Sequence, residues 1–275
     1  MANHQITIIQ ARRGFFPVGL RELWEHHELL FFLVWRDLKV RYKQTALGIF
    51  WVLLQPSLVI LLLSLIFGVF AKIPTGGAPY PLFVLAALLP WNYFSQTVGG
   101  MSGSLLANSH LVQKVYFPRM VIPMSVAVRG LVDSAVSFAI LPVLMLYYGV
   151  TPTDAIVFFP FFLVLGVALT LGAGIWISAL SVKYRDVSHM VPFLIQLCLF
   201  GTPVIYGLEL IPARFHFWFG LNPMTSVVEG FRWTLLGSPA PHWHLVATSS
   251  LVVLVILVSG VFYFRKTERT LADKI

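Results

Sequence analysis

The stretch GIFWVLLQPSLVILLLSLIFGVFA, residues 48–71, contains no charged side chain. A transmembrane helix needs about 20 consecutive and mostly apolar residues, so this stretch is long enough to cross a bilayer. Searching outward from it, we find five further stretches that qualify by the same rule. The sequence therefore predicts six transmembrane helices, at about 48–71, 82–106, 120–148, 155–182, 187–207 and 244–264.

Composition supports this all-α membrane fold. The chain has 275 residues, of which 58% are hydrophobic and 11% are charged, whereas about a quarter of the residues of a soluble domain are charged. A single core could not bury so much apolar surface, but lipid can surround it. The net charge is +8, yet the polar stretches of a nucleic-acid-binding protein are missing. We expect contacts with membrane lipids and no nucleic-acid partner.

Lysine and arginine residues predict the orientation. Fifteen of the 19 fall on one side of the predicted spans, Arg129 lies within the third span, and the other side has only Lys72, Arg214 and Arg232. Cytoplasmic loops carry the excess of positive charge, so both termini of this multi-pass chain are predicted to be cytoplasmic. The first thirty residues lack the apolar core of a signal peptide, and we expect no cleaved signal.

Four segments complete the predicted domain organisation. Residues 1–19 are predicted to be a flexible N-terminal tail, and residues 267–275 a cytoplasmic C-terminal tail. Residues 20–45 are predicted to form an amphipathic interface helix, because apolar residues recur there at helical spacing. That helix is either a simple membrane anchor or a docking surface. Residues 46–266 form the predicted transmembrane domain.

The connection between the fifth and sixth predicted spans is long and apolar, and Pro212 and Pro223 interrupt it. This pattern predicts short re-entrant or gate helices on the outer side of the membrane. They either close an outer mouth or form an interfacial cap without gating.

Two charges, Arg129 and Asp133, lie four residues apart in the third predicted span. Helical spacing puts them on one face, and charges inside a membrane are costly unless they are paired. The sequence therefore predicts an internal ion pair between them. A proton relay would need more intramembrane acids, so a secondary transporter is disfavoured.

Motifs that carry enzyme chemistry are missing from the sequence. It contains no GxxxxGK[ST] phosphate loop, no HExxH helix, no GxSxG elbow and no cysteine pair. We therefore expect no catalytic residue, no metal and no cofactor in this chain. A membrane glycosyltransferase or acyltransferase stays a less favoured alternative, because clustered acids or histidines are not evident.

Five segments, in this order, resemble one protein family. They are RYKQTALGIFWVLLQP (41–56), FPRMVIP (117–123), KYRDV (183–187), TPVIY (202–206) and LNPMTSVVEGFRW (221–233). They resemble the permease subunit of type-2 ABC exporters, in the branch that exports O-antigen, capsular or teichoic-acid polysaccharide across the bacterial inner membrane. Within this resemblance, a type-2 permease for a drug or another lipid is the main alternative.

The resemblance implies several partners. The permease would pair as a homodimer and bind two copies of a separate ATPase, which would hold ATP and Mg. The substrate would be a polysaccharide linked to a polyprenyl pyrophosphate, and the channel would lie between the two permease copies. The interface helix and the loop between spans two and three would contact the ATPase. The residues that we predict for this coupling are Glu25, Glu28, Asn108, Leu111, Lys114 and Tyr116.

Two further sets of residues are predicted from the chemistry of such a substrate. Guanidinium and ammonium groups near the cytoplasmic headgroups suit a pyrophosphate, and the candidates are Arg36, Lys39, Arg41 and Lys43. Binding of ordinary lipid headgroups is the competing interpretation. Aromatic rings can stack on the apolar faces of sugars, or they can simply face lipid. The candidate channel aromatics are Phe50, Trp51, Trp91, Tyr93, Phe94, Phe193, Phe200 and Tyr206.

Overall fold

The structure, a computed structural model, describes residues 20–43 and 49–271. The predicted tail 1–19, the last residues 272–275 and the junction 44–48 lie outside the described residues. Within the described ranges the chain is helical and contains no β-strand. The helices are α1 Leu20–Glu25, α2 His27–Lys43, α3 Ile49–Leu63, α4 Tyr80–Ala107, α5 Ser109–Lys114, α6 Val121–Phe138, α7 Ile140–Tyr148, α8 Phe159–Lys183, α9 Asp186–Phe200, α10 His216–Leu221, α11 Pro223–Leu236 and α12 Trp243–Leu271.

Four helical stretches are long and apolar enough to cross a membrane. They are Phe50–Phe70, Val121–Tyr148, Asp154–Lys183 and Trp243–Glu268, and they match the predicted spans one, three, four and six. In the first of them a π-helical turn, Ser64–Phe70, continues α3. The third begins with a 3-10 turn that leads into α8.

The other two predicted spans coincide with helices of a different character. The helix α4 has 28 residues, but amide and hydroxyl side chains between Asn92 and Thr97 interrupt its apolar sequence. The helix α9 is apolar but has only 15 residues. The structure therefore supports four spans by length and composition, and the count of six stays a prediction.

The helix α4 lies at the centre of the bundle and packs against α6, α8 and α11. The residues from Leu82 to Leu89 are all buried, because neighbouring helices surround this half of α4. The helices α8 and α12 also pack closely, since a Cβ at Gly260 would lie 2.7 Å from the carbonyl oxygen of Gly172. Small residues allow such close approach of two backbones.

Two helix boundaries follow from local chemistry. The helix α6 stops at Phe138 and α7 starts at Ile140, because Pro142 has no N–H to donate to the carbonyl of Phe138. At the start of α11, the side chain of Asn222 accepts a hydrogen bond from the Met224 N–H, and Pro223 follows as the first helical residue. An asparagine cap and a proline in the first helical position both favour the start of a helix.

The predicted interface helix is two helices, since the turn at His26 separates α1 from α2. On α2, Leu33 and Val34 are buried, whereas Phe31 and Trp35 are exposed. The predicted apolar stripe is therefore divided between packing on the bundle, mainly on α6, and an outward face. The short helices α10 and α11 lie between the fifth and sixth predicted spans, where the sequence predicts short helices.

Candidate functional site

A polar cleft of about 280 Å³ lies between α3, α4 and α6, beside the end of α2. The helix α3 contributes Gln55, and α2 contributes Arg41. The helix α4 lines the cleft with Asn92, Tyr93, Gln96 and Thr97, and α6 lines it with Arg129, Gly130, Asp133, Ser134 and Ser137. Residues three and four apart share a helix face, so these spacings collect the polar side chains of α4 and α6 on the two facing surfaces.

Gly130 allows α4 and α6 to approach each other at this point. A Cβ at Gly130 would collide with the hydroxyl of Thr97 and would lie 3.3 Å from Cε2 of Tyr93. Glycine is therefore required here for close packing rather than for an unusual backbone conformation.

The charges beside the cleft form a network that joins α2 to α6. The Asp133 carboxylate accepts hydrogen bonds from Arg41 Nη1, at 2.7 Å, and from the Tyr42 hydroxyl. Arg129 Nη1 lies 3.5 Å from the Asp37 carboxylate. Burial, and then the hydrogen bond to Asp133, raise the pKa of Tyr42 to about 12. Tyr42 thus stays protonated at physiological pH and donates to Asp133.

This network corrects the predicted ion pair between Arg129 and Asp133. Each of the two residues takes its partner from α2 instead, Asp37 for Arg129 and Arg41 for Asp133. The reason is that α2 packs against α6 and presents charges of both signs. Partners on another helix allow the carboxylate of Asp133 to accept from two donors at once, which satisfies it better than one neighbour would.

The four residues predicted to bind pyrophosphate occupy different environments. Arg36 bonds to Asp37, at 2.9 Å, and to the side-chain oxygen of Asn108, at 3.2 Å. Arg41 pairs with Asp133 at the edge of the cleft. Lys39 and Lys43 are exposed on α2. The structure therefore does not bring the four together into one cluster, and their role in phosphate binding stays a prediction.

The residues predicted to couple to an ATPase lie on α1, α2 and the α4–α5 connection. Asn108 precedes α5, and its side-chain oxygen accepts a hydrogen bond from Arg36. This bond joins the α4–α5 segment to α2. Lys114, Glu25 and Glu28 are exposed, and Leu111 is half-buried. Tyr116 is 88% exposed, so its ring is accessible to another protein. Within this connection the chain forms the short helix α5.

The eight predicted channel aromatics do not form one surface. Phe50, Trp51, Phe193 and Phe200 are exposed on α3 and α9. Trp91 and Tyr93 are buried, and Trp91 packs against the half-buried Phe94. The hydroxyl of Tyr206, in the turn after α9, donates to the carbonyl of Phe200. Neighbouring helices enclose Trp91, and Tyr93 lines the polar cleft. A channel role for these aromatics stays a prediction.

The sequence reasoning missed two groups of residues. The first is the set of uncharged polar side chains of the cleft, whose recurrence every three or four residues along α4 was the available signal. The second is Arg232, counted only as an outer-side charge. Its side chain is 1% exposed and donates to the carbonyls of Pro203, Val204 and Tyr206 and to the Glu229 carboxylate.

Sequence comparison identifies relatives of this chain. Residues 28–236 match the family model described as ABC-2 type transporter. The chain is 36% identical to the O-antigen export system permease protein RfbA of Myxococcus xanthus over 258 residues, which cover 90% of this chain and 96% of that protein. It is 27% identical to the protein of the same name from Klebsiella pneumoniae, with 90% and 94% covered.

A third relative is the polysialic acid transport protein KpsM of Escherichia coli. It is 24% identical over 243 residues, which cover 86% of this chain and 92% of that protein. The family match covers α2 to α11 and includes every helix that lines the polar cleft. Together with the long apolar helices, this match means that the chain is an integral membrane protein of the ABC-2 type transporter family.

Proposed function

We propose that this chain is the transmembrane subunit of an ABC exporter that moves lipid-linked polysaccharide across the bacterial inner membrane. The observation that carries the proposal is the 36% identity to an O-antigen export permease over nearly the full length of both chains. The match extends through the cleft helices and through α2, so it covers the parts that such a subunit would need for transport and for coupling.

In this proposal the chain crosses the membrane six times, with both termini in the cytoplasm. The helices α4 and α9 would supply spans two and five in addition to the four long apolar stretches. The excess of lysine and arginine on the side of the termini supports this orientation. The helix α2 would then lie at the cytoplasmic interface, where its exposed Phe31 and Trp35 contact lipid.

Two copies of the chain would enclose the translocation channel. The helix α9 packs mainly on α4 and α8, and its outer face exposes Phe193, Gln196 and Phe200. Gln55 on α3 is also exposed. An amide facing hydrocarbon would lose its hydrogen bonds, whereas a second copy and a hydrated path would supply them. The exposed aromatics of α3 and α9 could then stack on passing sugars.

Energy would come from two copies of a separate ATPase that bind ATP and Mg. The exposed Lys114, at the end of α5, and Tyr116, two residues after it, would contact the ATPase. The Arg36–Asn108 hydrogen bond joins this contact to α2, so a push on α5 would also move the interface helix. Rigid movement of α3 and α9 could then open the interface between the two copies.

The pyrophosphate of the lipid carrier would meet the basic residues of α2. Lys39 and Lys43 are exposed on this helix, and Arg36 and Arg41 lie beside them with acidic partners. The exposed lysines would therefore make the first contact, because their charge is not already compensated in the part of the chain described.

Deletion of the gene tests the proposal in its native bacterium. We expect lipid-linked polymer to accumulate inside the cell and to disappear from the surface, and a plasmid copy to restore export. The chain should also co-purify with its ATPase, and cysteine at Tyr116 should crosslink to that subunit. Normal surface polymer in the deletion strain, or a purified monomer that never binds an ATPase, would contradict the proposal.

A capsular polysaccharide is a second candidate substrate, and the similarity to the polysialic acid transport protein favours it. The same deletion strain distinguishes the two substrates. Extraction of the accumulated polymer and analysis of its lipid anchor would identify a capsule or an O-antigen carrier.

A further inference from the structure

Of the seven buried polar side-chain atoms without a hydrogen-bond partner in the described part of the chain, three belong to residues that line the polar cleft. They are the hydroxyl oxygens of Tyr93 and Thr97 and Nε of Arg129. Buried polar groups are almost always paired, because an unpaired group costs free energy. Three such groups beside one cavity indicate that the cavity normally holds a polar occupant.

The lining of the cleft suits an uncharged occupant. The formal charges of Arg41 and Arg129 are already compensated by Asp133 and Asp37. The remaining polar groups are amides and hydroxyls, such as Gln55, Asn92 and Thr97, and these groups can both donate and accept hydrogen bonds. A polyhydroxylated molecule offers the same mixture of donors and acceptors.

The volume of the cleft and its opening to the surface limit the kind of molecule that could occupy it. Ligand cavities usually measure roughly 300–1,000 Å³, so a cleft of about 280 Å³ suits one small ring rather than a chain of rings. Val52, Pro56 and Val59 provide an apolar wall on α3, against which the flat face of a ring could lie. Gln55 and Gln96 are exposed, so the cleft is open to the surface.

We propose that this cleft binds one sugar residue, held between α3, α4 and α6 within each copy of the chain. The proposal rests on the function proposed above, because the exported polysaccharide is the source of the sugar. It adds a saccharide site inside a single copy, which would open toward the channel between two copies through Gln55. Thr97 and Gln96 would contact the sugar hydroxyls.

Binding of methyl glycosides to the permease–ATPase complex in lipid nanodiscs tests the site. The probes are methyl glycosides of glucose, mannose, galactose and N-acetylglucosamine, measured by saturation-transfer difference NMR. The two test variants are Thr97→Val and Gln96→Leu. Thr97→Val keeps the shape of the side chain and removes a hydroxyl that has no partner among the residues that the structure describes, so the fold should persist.

The matched control is Thr248→Val on α12, where the threonine is half-buried, lies outside the cleft lining and donates its hydroxyl to the His244 carbonyl. We expect at least one glycoside to bind to the wild type and the control, and its affinity to fall about tenfold in each test variant, as for the loss of one good hydrogen bond. Equal affinity in all four proteins would overturn the proposal. So would the absence of binding by any glycoside, which would mean that water alone fills the cleft.

Polymer export by the deletion strain, measured alongside glycoside binding, distinguishes failure of the sugar site from failure of the proposed export function. If no glycoside binds but the deletion strain still accumulates polymer, only the cleft proposal fails. If binding depends on Thr97 and Gln96 but deletion leaves surface polymer unchanged, the sugar site stands and the exporter proposal fails.

Discussion

Replacement of Arg232 by methionine should destabilise the protein more than any other single change on the segment between α9 and α12. The guanidinium donates to four backbone carbonyls, those of Phe83, Pro203, Val204 and Tyr206. It also pairs with Glu229 at 3.1 Å and lies 3.5 Å from the centre of the Phe83 ring. Arg232 therefore joins α11, α4 and the turn after α9.

The expected loss in the free energy of unfolding follows from the carbonyl groups and the Glu229 carboxylate that methionine would leave unpaired. Hydrogen bonds to a charged group contribute about 1.5–3 kcal/mol each, and breaking a buried ion pair by removing one partner costs about 3–5 kcal/mol. These contributions overlap, since Glu229 and the carbonyls can partly reach water after the turn relaxes. We expect a loss of about 4 kcal/mol in the free energy of unfolding, a large part of the roughly 5–15 kcal/mol typical of a folded protein.

Thermal unfolding of the purified protein in detergent, followed by size-exclusion chromatography, measures this loss. At about 2–4 °C per kcal/mol, the melting temperature should fall by on the order of 10 °C. The matched control is Arg214→Met, because Arg214 is exposed and its guanidinium lies over the ring of Phe215 at the surface. Surface substitutions of this kind usually change stability by less than about 0.5 kcal/mol.

A second variant separates the ion pair from the carbonyl contacts. Glu229→Gln combined with Arg232→Met removes the buried carboxylate charge that the single change leaves uncompensated. The double variant should therefore regain part of the lost stability. The reasoning would be refuted if Arg232→Met and Arg214→Met melted within 2 °C of each other.

Three further predictions concern the α2–α6 network, the contact of α4 with α6, and the exposed Lys43 of α2. Asp133→Asn should lower the free energy of unfolding by about 1–2 kcal/mol, because the amide replaces a charged acceptor of two hydrogen bonds; a melting temperature equal to the wild type would contradict the network. Gly130→Ala should cost about 1–3 kcal/mol by overpacking, and adding Thr97→Ala, which removes the colliding hydroxyl, should recover part of it; an unchanged melting temperature for the first variant would refute the close approach of α4 and α6. Lys43→Glu should reduce export of surface polymer without altering the amount of assembled complex, whereas Lys72→Glu, an exposed lysine on the opposite side of the spans, should not; equal export by both variants would argue against a role for Lys43 in phosphate binding.

The sequence predicted those features that depend on local composition. Long apolar stretches predicted the all-helical fold, and the four most apolar ones are confirmed as helices long enough to cross a membrane. Five ordered motifs predicted the family, which the family match confirms. The short helices between α9 and α12 were also predicted, because prolines mark such boundaries along the chain itself.

Only the tertiary structure decided which residues meet. Arg129 and Asp133 are helical neighbours in sequence, yet each pairs with α2, because the packing of α2 on α6 brings better-placed partners. The sequence does not distinguish Trp91 from the other aromatic residues of the spans. It is buried because α4 lies at the centre of the bundle. The polar cleft likewise combines side chains from four helices that are distant in the sequence. Hydropathy and spacing describe one helix at a time, whereas pairing, burial and cavities depend on which helix faces lie against one another.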